Sequence, residues 1–170
     1  MFFAMKYHSF EELPVWNDAI ELVVRVFAIT GKACFRYHSG TRNQLENAAL
    51  SISNNIAEGF ERGTTQETLT FLYIARGSAG EVRSMLRFFL RSSVFAELKT
   101  DVLDLIPRSL SVSRQLRSWA DSLQNSEIRG QRYLNERSRR ITKESKERDE
   151  FLEELRRVRE AHRPGSTSNE

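Results

Sequence analysis

Arginines that recur at helical spacing are the residues of this chain most suited to binding chemistry. Arg76, Arg83, Arg87 and Arg91 are separated by seven, four and four residues, so a helix would carry all of them in one stripe. Guanidinium groups at intervals of about 6 Å suit the phosphates of a nucleic-acid backbone. Further candidates for the same role are Arg108, Arg114, Arg117 and Arg132. The alternative is a solvated face on which such arginines pair with carboxylates, for example Glu81.

The total charge of the chain does not predict a polyanionic partner by itself. The 170 residues contain 26 Lys and Arg against 23 Asp and Glu, a net charge of +3. Residues 1–125 hold 14 basic and 13 acidic residues, which leaves a net charge of +1. Aromatic residues are not interleaved with the arginine stripe in the pattern of a base-stacking platform. A nucleic acid would therefore have to be bound by a local cluster of cations.

No residue pattern in the chain predicts catalysis or metal binding. The single cysteine, Cys34, excludes an internal disulfide and a thiolate zinc cage within one chain. His38 could act as its base, but a lone cysteine is more often a small, partly buried side chain. The sequence has no Glu-x-x-His pair of the kind that holds a di-iron centre in a helical bundle. We therefore expect a protein that is not an enzyme, with no catalytic residue, no metal and no cofactor.

Four segments with apolar residues at steps of three and four must position the arginines. They span about residues 14–31, 41–63, 64–90 and 95–123. Helices of this length joined by short connections are typical of a bundle. We predict an all-α fold, with an antiparallel up-down four-helix bundle over residues 1–125.

Local features of these segments lead to more specific predictions. Thr64 followed by Glu67 is a capping-box pattern at the start of the third helix. Gly77 and Gly80 lie inside the third seam and each costs about 1 kcal/mol relative to Ala, so we expect close packing to offset them. Pro107 lacks a backbone N–H, so we expect a kink or a break in the fourth helix. The predicted core-facing stripe of the first helix consists of Trp16, Ile20, Val23 and Phe27, widened by Leu22 and Val26.

The last 45 residues differ in composition from the rest of the chain. Residues 126–143 have six basic and two acidic side chains, whereas residues 144–170 have six basic and eight acidic ones. We predict that residues 126–170 are a charged C-terminal extension, either helical or disordered. No stretch approaches the roughly 18 apolar residues of a membrane span, and the first ten residues do not resemble a secretory signal. We expect a cytoplasmic protein with no membrane partner.

Three motifs within residues 10–123 resemble those of a known family. They are QLENAALSISNNIAEGFER at residues 44–62, LPVW at residues 13–16 and FLYIARGSAGE at residues 71–81. Together they are similar to the signature of the bacterial four helix bundle protein family. That family includes the proteins encoded in intervening sequences of large-subunit ribosomal RNA genes and the accessory variability determinant of diversity-generating retroelements.

The resemblance implies an assembly and a set of partners. Members of the family are four-helix bundles that form a ring-like homopentamer with a central channel. The retroelement member is not an enzyme; it binds nucleic acid and its reverse transcriptase and supports mutagenic cDNA synthesis. By this resemblance, the expected partners are further copies of the chain, RNA or a DNA/RNA hybrid, and a reverse transcriptase. Five copies would repeat the arginine stripe around a ring and raise the local potential.

Polar residues of the motifs invite a structural interpretation. Glu58 and Arg62 are four residues apart in the order that favours an ion pair on a helix. Polar groups at helix contacts must be hydrogen-bonded to one another or they cost stability. We interpret the set as a network between the second and third helices, with direct ligand contact as the alternative. Its members are Asn54, Asn55, Glu58, Arg62, Ser78 and Glu81.

One departure from the family pattern weakens the transfer of function. Glu46 and Asn47 stand where the family pattern is often basic. Two potential phosphate contacts on the second helix are therefore missing, and the fourth helix and the start of the extension would have to supply others. A function of a different class also fits the sequence. The chain could be an oligomeric scaffold for protein partners, of the rRNA intervening-sequence type, with no direct role on nucleic acid.

Overall fold

The computed structural model describes residues 7–126, 140–141, 144–145, 147–154 and 156–157. Four long helices dominate this part of the chain: α1 (Pro14–Thr30), α2 (Ser39–Phe60), α3 (Thr65–Phe89) and α4 (Lys99–Gln124). Short 3-10 helices lie at Phe10–Glu12, Ala33–Phe35 and Ser93–Leu98. The described residues contain no strand, which confirms the all-α prediction. The described residues between 140 and 157 are helical as well.

Each long helix packs against two others. α3 lies against both α2 and α4, and α1 lies against α2 and α4. The buried core between them is almost entirely aliphatic, with Phe35, Phe89 and Phe95 at one end and Trp119 and Leu123 on α4. No described helix is long and apolar enough to cross a bilayer.

The start of α3 follows the predicted capping pattern. The hydroxyl of Thr64 accepts a hydrogen bond of 3.3 Å from the backbone N–H of Glu67 and lies 2.6 Å from its carboxylate. The side chain thus satisfies one of the amides that the first helical turn leaves unpaired. The predicted fourth helix, in contrast, begins too early. Ser93–Leu98 is a separate 3-10 helix, and α4 starts only at Lys99.

The predicted core stripe of α1 is confirmed at Leu22, Val23 and Val26 and wrong at Phe27. Phe27 is 44% exposed, and Trp16 and Ile20 are only half-buried, although Val23 is buried. The residues that α1 buries in the core include Val15, Ala19, Leu22, Val26 and Ile29. Apolar residues cover more than one side of this helix, so two stripes have the spacing of a core face. The stripe that contains the small Ala19 is the one that packs inside.

The expectation of close packing at two glycines inside α3 was also wrong. A Cβ added at Gly77 or Gly80 would meet nothing within 4 Å, so close packing does not explain these glycines. The close approach occurs instead at Gly59, where an added Cβ would lie 2.9 Å from Cβ of Phe71. α4 continues through Pro107, so of the two predicted alternatives the break does not occur, and the kink stays a prediction. Pro107 is exposed, so water can bond the backbone carbonyl that loses its partner.

Candidate nucleic-acid interface

The arginine stripe of α3 lies on the side of the helix that borders α4. The amide of Gln124 on α4 donates a hydrogen bond of 2.7 Å to the hydroxyl of Tyr73 on α3, which marks this side. Arg76, Arg83 and Arg87 follow Tyr73 by 3, 10 and 14 residues, so helical spacing places them on the same side, and Arg91 lies two residues beyond the end of α3. We call Arg76, Arg83, Arg87 and Arg91 the α3 arginines.

The α3 arginines lack partners that would neutralise them. Within the described ranges none of the four makes an ion pair. Arg87 and Arg91 are exposed, and Arg76 and Arg83 are half-buried. The suggested partner Glu81 instead accepts a hydrogen bond of 3.1 Å from the side-chain amide of Gln44 on α2. The solvated, paired face that the sequence left open therefore does not describe this stripe.

Helix α4 adds cations to the same side of the molecule. Arg117 precedes Gln124 by seven residues, which places it on the side of α4 that faces α3, and it pairs with Asp121 at 3.5 Å. Arg114 is exposed one turn earlier and, among the described residues, has no ion pair. Lys99 is exposed at the start of α4, 25 residues before Gln124. Lys99 was not among the predicted residues. Its place on this surface follows from how α4 packs on α3, which the arginine spacing within α3 could not indicate.

Arg108 does not join this surface. Its guanidinium donates a hydrogen bond of 2.8 Å to Asp104, which also accepts one of 3.2 Å from Arg25 on α1. Arg108 and Arg25 hold the pKa of Asp104 below its ordinary value. Arg108 therefore lies between α4 and α1, with its charge already balanced. Arg132 lies outside the described residues.

The border between α1 and α4 is built from paired charges of both signs. Lys32 bonds Asp101 at 2.8 Å, and Asp18 accepts a bond of 2.6 Å from the amide of Gln115. The bond to Asp101 raises the pKa of Lys32. This border thus differs from the border between α3 and α4, where most of the arginines are unpaired. The charge of the chain is distributed unevenly even though its sum is small.

The family-like motif forms contacts at the border between α2 and α3. The hydroxyl oxygens of Ser51 and Ser78 are 2.9 Å apart, and the amide of Asn55 donates to the Ser51 hydroxyl at 3.0 Å. Arg62 pairs with Glu58, and its guanidinium lies 4.7 Å from the ring centroid of Phe71.

The proposed network of motif residues is thus only partly connected. Asn54 is exposed and takes no part in the contacts described above. Ser51 and Gln44, which were not in the predicted set, make the contacts with Ser78 and Glu81 across the border between α2 and α3. Glu58 and Arg62 form their own pair within α2. Beside the serine contact lies an open depression of about 500 Å³, lined in part by Asn43, Asn47 and Glu81.

Glu46, one of the two departures from the family pattern, has a structural contact. Its carboxylate accepts a hydrogen bond of 2.6 Å from the hydroxyl of Thr30, which is buried on α1. A lysine or arginine at this position could not accept that bond. The acidic side chain therefore ties α2 to α1, a role that the helical spacing of α2 could not show.

Cys34 and His38 do not form a nucleophile and base. The backbone N–H of Cys34 donates to Glu97 at 2.9 Å, and the ring of His38 lies 5.5 Å from that of Phe95. Burial, together with the carboxylate of Glu97, raises the pKa of the Cys34 thiol to about 11. Such a thiol is protonated at neutral pH and is a poor nucleophile. Among the described residues, no group of three or more His, Cys, Asp or Glu could hold a metal ion.

These features define an all-helical protein with a cationic surface between two of its helices. Residues 11–118 match the sequence profile of the family described as 23S rRNA-intervening sequence protein, and the chain belongs to this family. A comparison with curated proteins found no match.

Proposed function

We propose that this protein binds nucleic acid without catalysis, and that it does so as a ring-like homopentamer of four-helix bundles. The α3 arginines, with Arg114 and Arg117, would contact phosphates along the border between α3 and α4. The observation that carries the proposal is the absence of ion pairs at all four α3 arginines within the described residues. Unpaired guanidinium groups on one side of a helix attract a polyanion without first losing an internal partner.

The antiparallel bundle is part of the proposal and rests on the order of contacts. Gln44 on α2 contacts Glu81 on α3, and Ser51, later in α2, contacts Ser78, which is earlier in α3. Residue numbers therefore increase along α2 where they decrease along α3, as in an antiparallel pair of helices. The same order holds between α1 and α4, where Asp18 contacts Gln115, Arg25 contacts Asp104 and Lys32 contacts Asp101. Neighbouring helices with short connections favour this up-down arrangement.

An exposed apolar surface supports self-association. Ile20, Val24 and Phe27 follow one another at steps of four and three on α1, with Val24 58% and Phe27 44% exposed. Glu46 bonds Thr30 on α1, and Leu50, one turn after Glu46, is 36% exposed on the same side of α2. Contiguous apolar residues of this kind commonly mark protein contacts. We propose that neighbouring copies cover this surface in the pentamer.

The finer biological role rests on the resemblance of the motifs. A retroelement accessory protein would bind RNA or a DNA/RNA hybrid together with a reverse transcriptase, in the cytoplasm. The cationic side of the molecule supports the nucleic-acid part of that role through its chemistry. The reverse transcriptase remains an inference from the family motifs alone.

Two charge-matched double variants test the binding surface. Arg83→Gln with Arg87→Gln removes two unpaired cations, whereas Arg25→Gln with Arg108→Gln removes two that are paired with Asp104. We expect the first to weaken binding of a fluorescent DNA/RNA hybrid about tenfold or more in low salt, and the second to change it by less than about threefold. Equal losses in both variants would show that only net charge matters, and no loss in either would contradict the proposal.

The pentamer is tested separately by sedimentation. Val24→Asp places a charge on the apolar surface of α1, and Leu103→Asp places one at a site on α4 that is 55% exposed. We expect Val24→Asp to dissociate the assembly and Leu103→Asp to preserve it. A wild-type chain that sediments as a monomer at micromolar concentration would contradict the pentamer.

An oligomeric scaffold for protein partners is the second candidate, and the exposed side chains of Phe151 and Leu152 in the extension favour it. Deleting residues 126–170 discriminates the two functions. The scaffold predicts loss of partner capture with intact self-association. The nucleic-acid function predicts that hybrid binding persists through the α3 arginines.

A further inference from the structure

An aromatic cluster closes one end of the described fold, where the connections at residues 31–38 and 90–98 meet. The backbone N–H of Cys34 donates to Glu97 across them, and the rings of Phe35 and Phe95 are 5.1 Å apart. Phe89, at the end of α3, lies 4.4 Å from Phe95 by ring centroids. The three phenylalanines are buried and form a fixed base for the residues outside them.

Two further rings contact this base, and a third follows from its position in the sequence beside one of them. His38 and Phe88 have ring centroids 5.5 Å and 5.9 Å from that of Phe95, and Phe88 is 52% exposed. Tyr37, next to His38, is 84% exposed. An aromatic side chain this exposed gains little from its own fold. Flat rings that are open to solvent, such as Tyr37 and the base-contacting Phe88, can stack on the faces of other rings.

Cations surround these rings. The guanidinium of Arg36 lies 5.7 Å from the ring centroid of Tyr37. Arg87 precedes Phe88 in the last turn of α3, and Arg91 lies two residues beyond the end of that helix. In the described structure none of these three arginines has an ion pair. The carboxylates in the two connections and in the first turn of α4 have other contacts, since Glu97 accepts a hydrogen bond from the backbone N–H of Cys34 and Asp101 pairs with Lys32. Aromatic rings and unpaired cations thus occur together at this end.

We propose that this end binds unpaired nucleobases, which stack on Tyr37 and Phe88 while Arg36, Arg87 and Arg91 hold the adjacent phosphates. The inference rests on the proposed nucleic-acid function and adds a substrate class, a single-stranded segment. Bases inside a duplex are stacked on one another and do not offer their faces, whereas unpaired bases do. The arginine stripe leads along α3 to these rings, so a duplex on the stripe would present a strand end or loop to them.

Three probes of equal length separate base stacking from phosphate binding: an oligouridine, an abasic oligonucleotide and an RNA duplex. The wild-type chain is expected to bind oligouridine more tightly than the abasic strand. Tyr37→Ser should weaken oligouridine binding about fivefold or more, and leave binding of the abasic strand and duplex within about twofold. Tyr37→Phe keeps a ring and should restore oligouridine binding. Val94→Ala, which trims a non-aromatic side chain that is 50% exposed in the neighbouring connection at residues 90–98, is the matched control.

Each outcome decides one claim. Equal affinity of the wild-type chain for oligouridine and the abasic strand, or an unchanged oligouridine affinity in Tyr37→Ser, would overturn the stacking inference. Salt-dependent duplex binding that persists in those cases would leave the proposed function intact. A wild-type chain that binds none of the three probes in low salt would overturn both.

Discussion

The hydroxyl oxygens of Ser51 on α2 and Ser78 on α3 lie 2.9 Å apart, and this contact joins the two helices at mid-length. The amide of Asn55 also donates to Ser51, at 3.0 Å from its hydroxyl, so a short polar chain crosses the border between the helices. Small side chains permit this approach, and a larger residue at either serine would separate the two backbones. The border holds the register of α3, on which the proposed phosphate contacts depend.

The serine contact should appear as a coupling energy. Ser51→Ala, Ser78→Ala and the double variant form a double-mutant cycle, measured by urea unfolding. We expect each single variant to cost about 0.5–1.5 kcal/mol and the pair to show a coupling of about 0.5 kcal/mol or more. Additive losses would show that the two hydroxyls do not stabilise each other.

Gly59 and Gly77 should respond in opposite directions to the same substitution. Gly59→Ala would place a Cβ 2.9 Å from Cβ of Phe71. Because Cβ of Phe71 cannot move without its helix, α3 would have to shift away from α2, which should cost about 1–3 kcal/mol. Gly77→Ala meets nothing within 4 Å and should gain about 0.5–1 kcal/mol from helix propensity. Thermal unfolding of the two variants checks this pair. A stabilised Gly59→Ala would contradict the close packing of α2 on α3.

The Cys34 thiol should react slowly. Because its pKa is raised to about 11, its thiolate fraction at pH 8 is about a hundredfold lower than that of a thiol with a pKa near 9. Iodoacetamide labelling should therefore be slow at pH 8 and accelerate up to about pH 11. Glu97→Gln removes the nearby negative charge and should speed labelling at pH 8. Rapid labelling of the wild-type chain at pH 7 would contradict this account.

Asp104 should make stability sensitive to acid. Its pKa is lowered in the folded state, chiefly by the hydrogen bond from Arg108 and then by the charges of Arg108 and Arg25. A lowered folded-state pKa adds stability above the unfolded pKa of about 3.9, and that contribution disappears as pH falls through the folded-state value. The melting temperature of the wild-type chain should exceed that of Asp104→Asn at pH 7, and the gap should close as the pH falls below the unfolded pKa of about 3.9. A gap that stays constant would exclude Asp104 as the titrating group.

The helices and the arginine stripe could be predicted from spacing because both are local properties. Apolar steps of three and four located all four long helices, and the capping pattern at Thr64 located the start of α3. The spacing of Arg76, Arg83 and Arg87 likewise placed them on one side of α3, whereas Arg91 lies just beyond its end. The helix that these arginines border depends on tertiary packing. The hydrogen bond between Gln124 and Tyr73 identifies that helix as α4.

The errors came from features that spacing alone cannot resolve. On α1 two apolar stripes have helical spacing, and only the packed structure decides which is buried and leaves Val24 and Phe27 exposed. Arg108 belongs to the same helix as Arg114 and Arg117 but faces α1, where Asp104 balances its charge. His38, next to the exposed Tyr37, and the exposed Phe88 come from different elements and both contact Phe95, a meeting that no linear pattern could predict.

The salt dependence of binding tests the central claim most directly. The affinity of the wild-type chain for a DNA/RNA hybrid duplex would be measured across salt concentrations, beside Arg83→Gln with Arg87→Gln and Arg25→Gln with Arg108→Gln. If the α3 arginines bind phosphates, the slope of log affinity against log salt should be shallower in Arg83→Gln with Arg87→Gln than in the wild-type chain. The expected difference is about 0.9 for each phosphate that is no longer neutralised. The slope should be unchanged in Arg25→Gln with Arg108→Gln. A wild-type slope near zero, or the same slope in all three proteins, would contradict the claim.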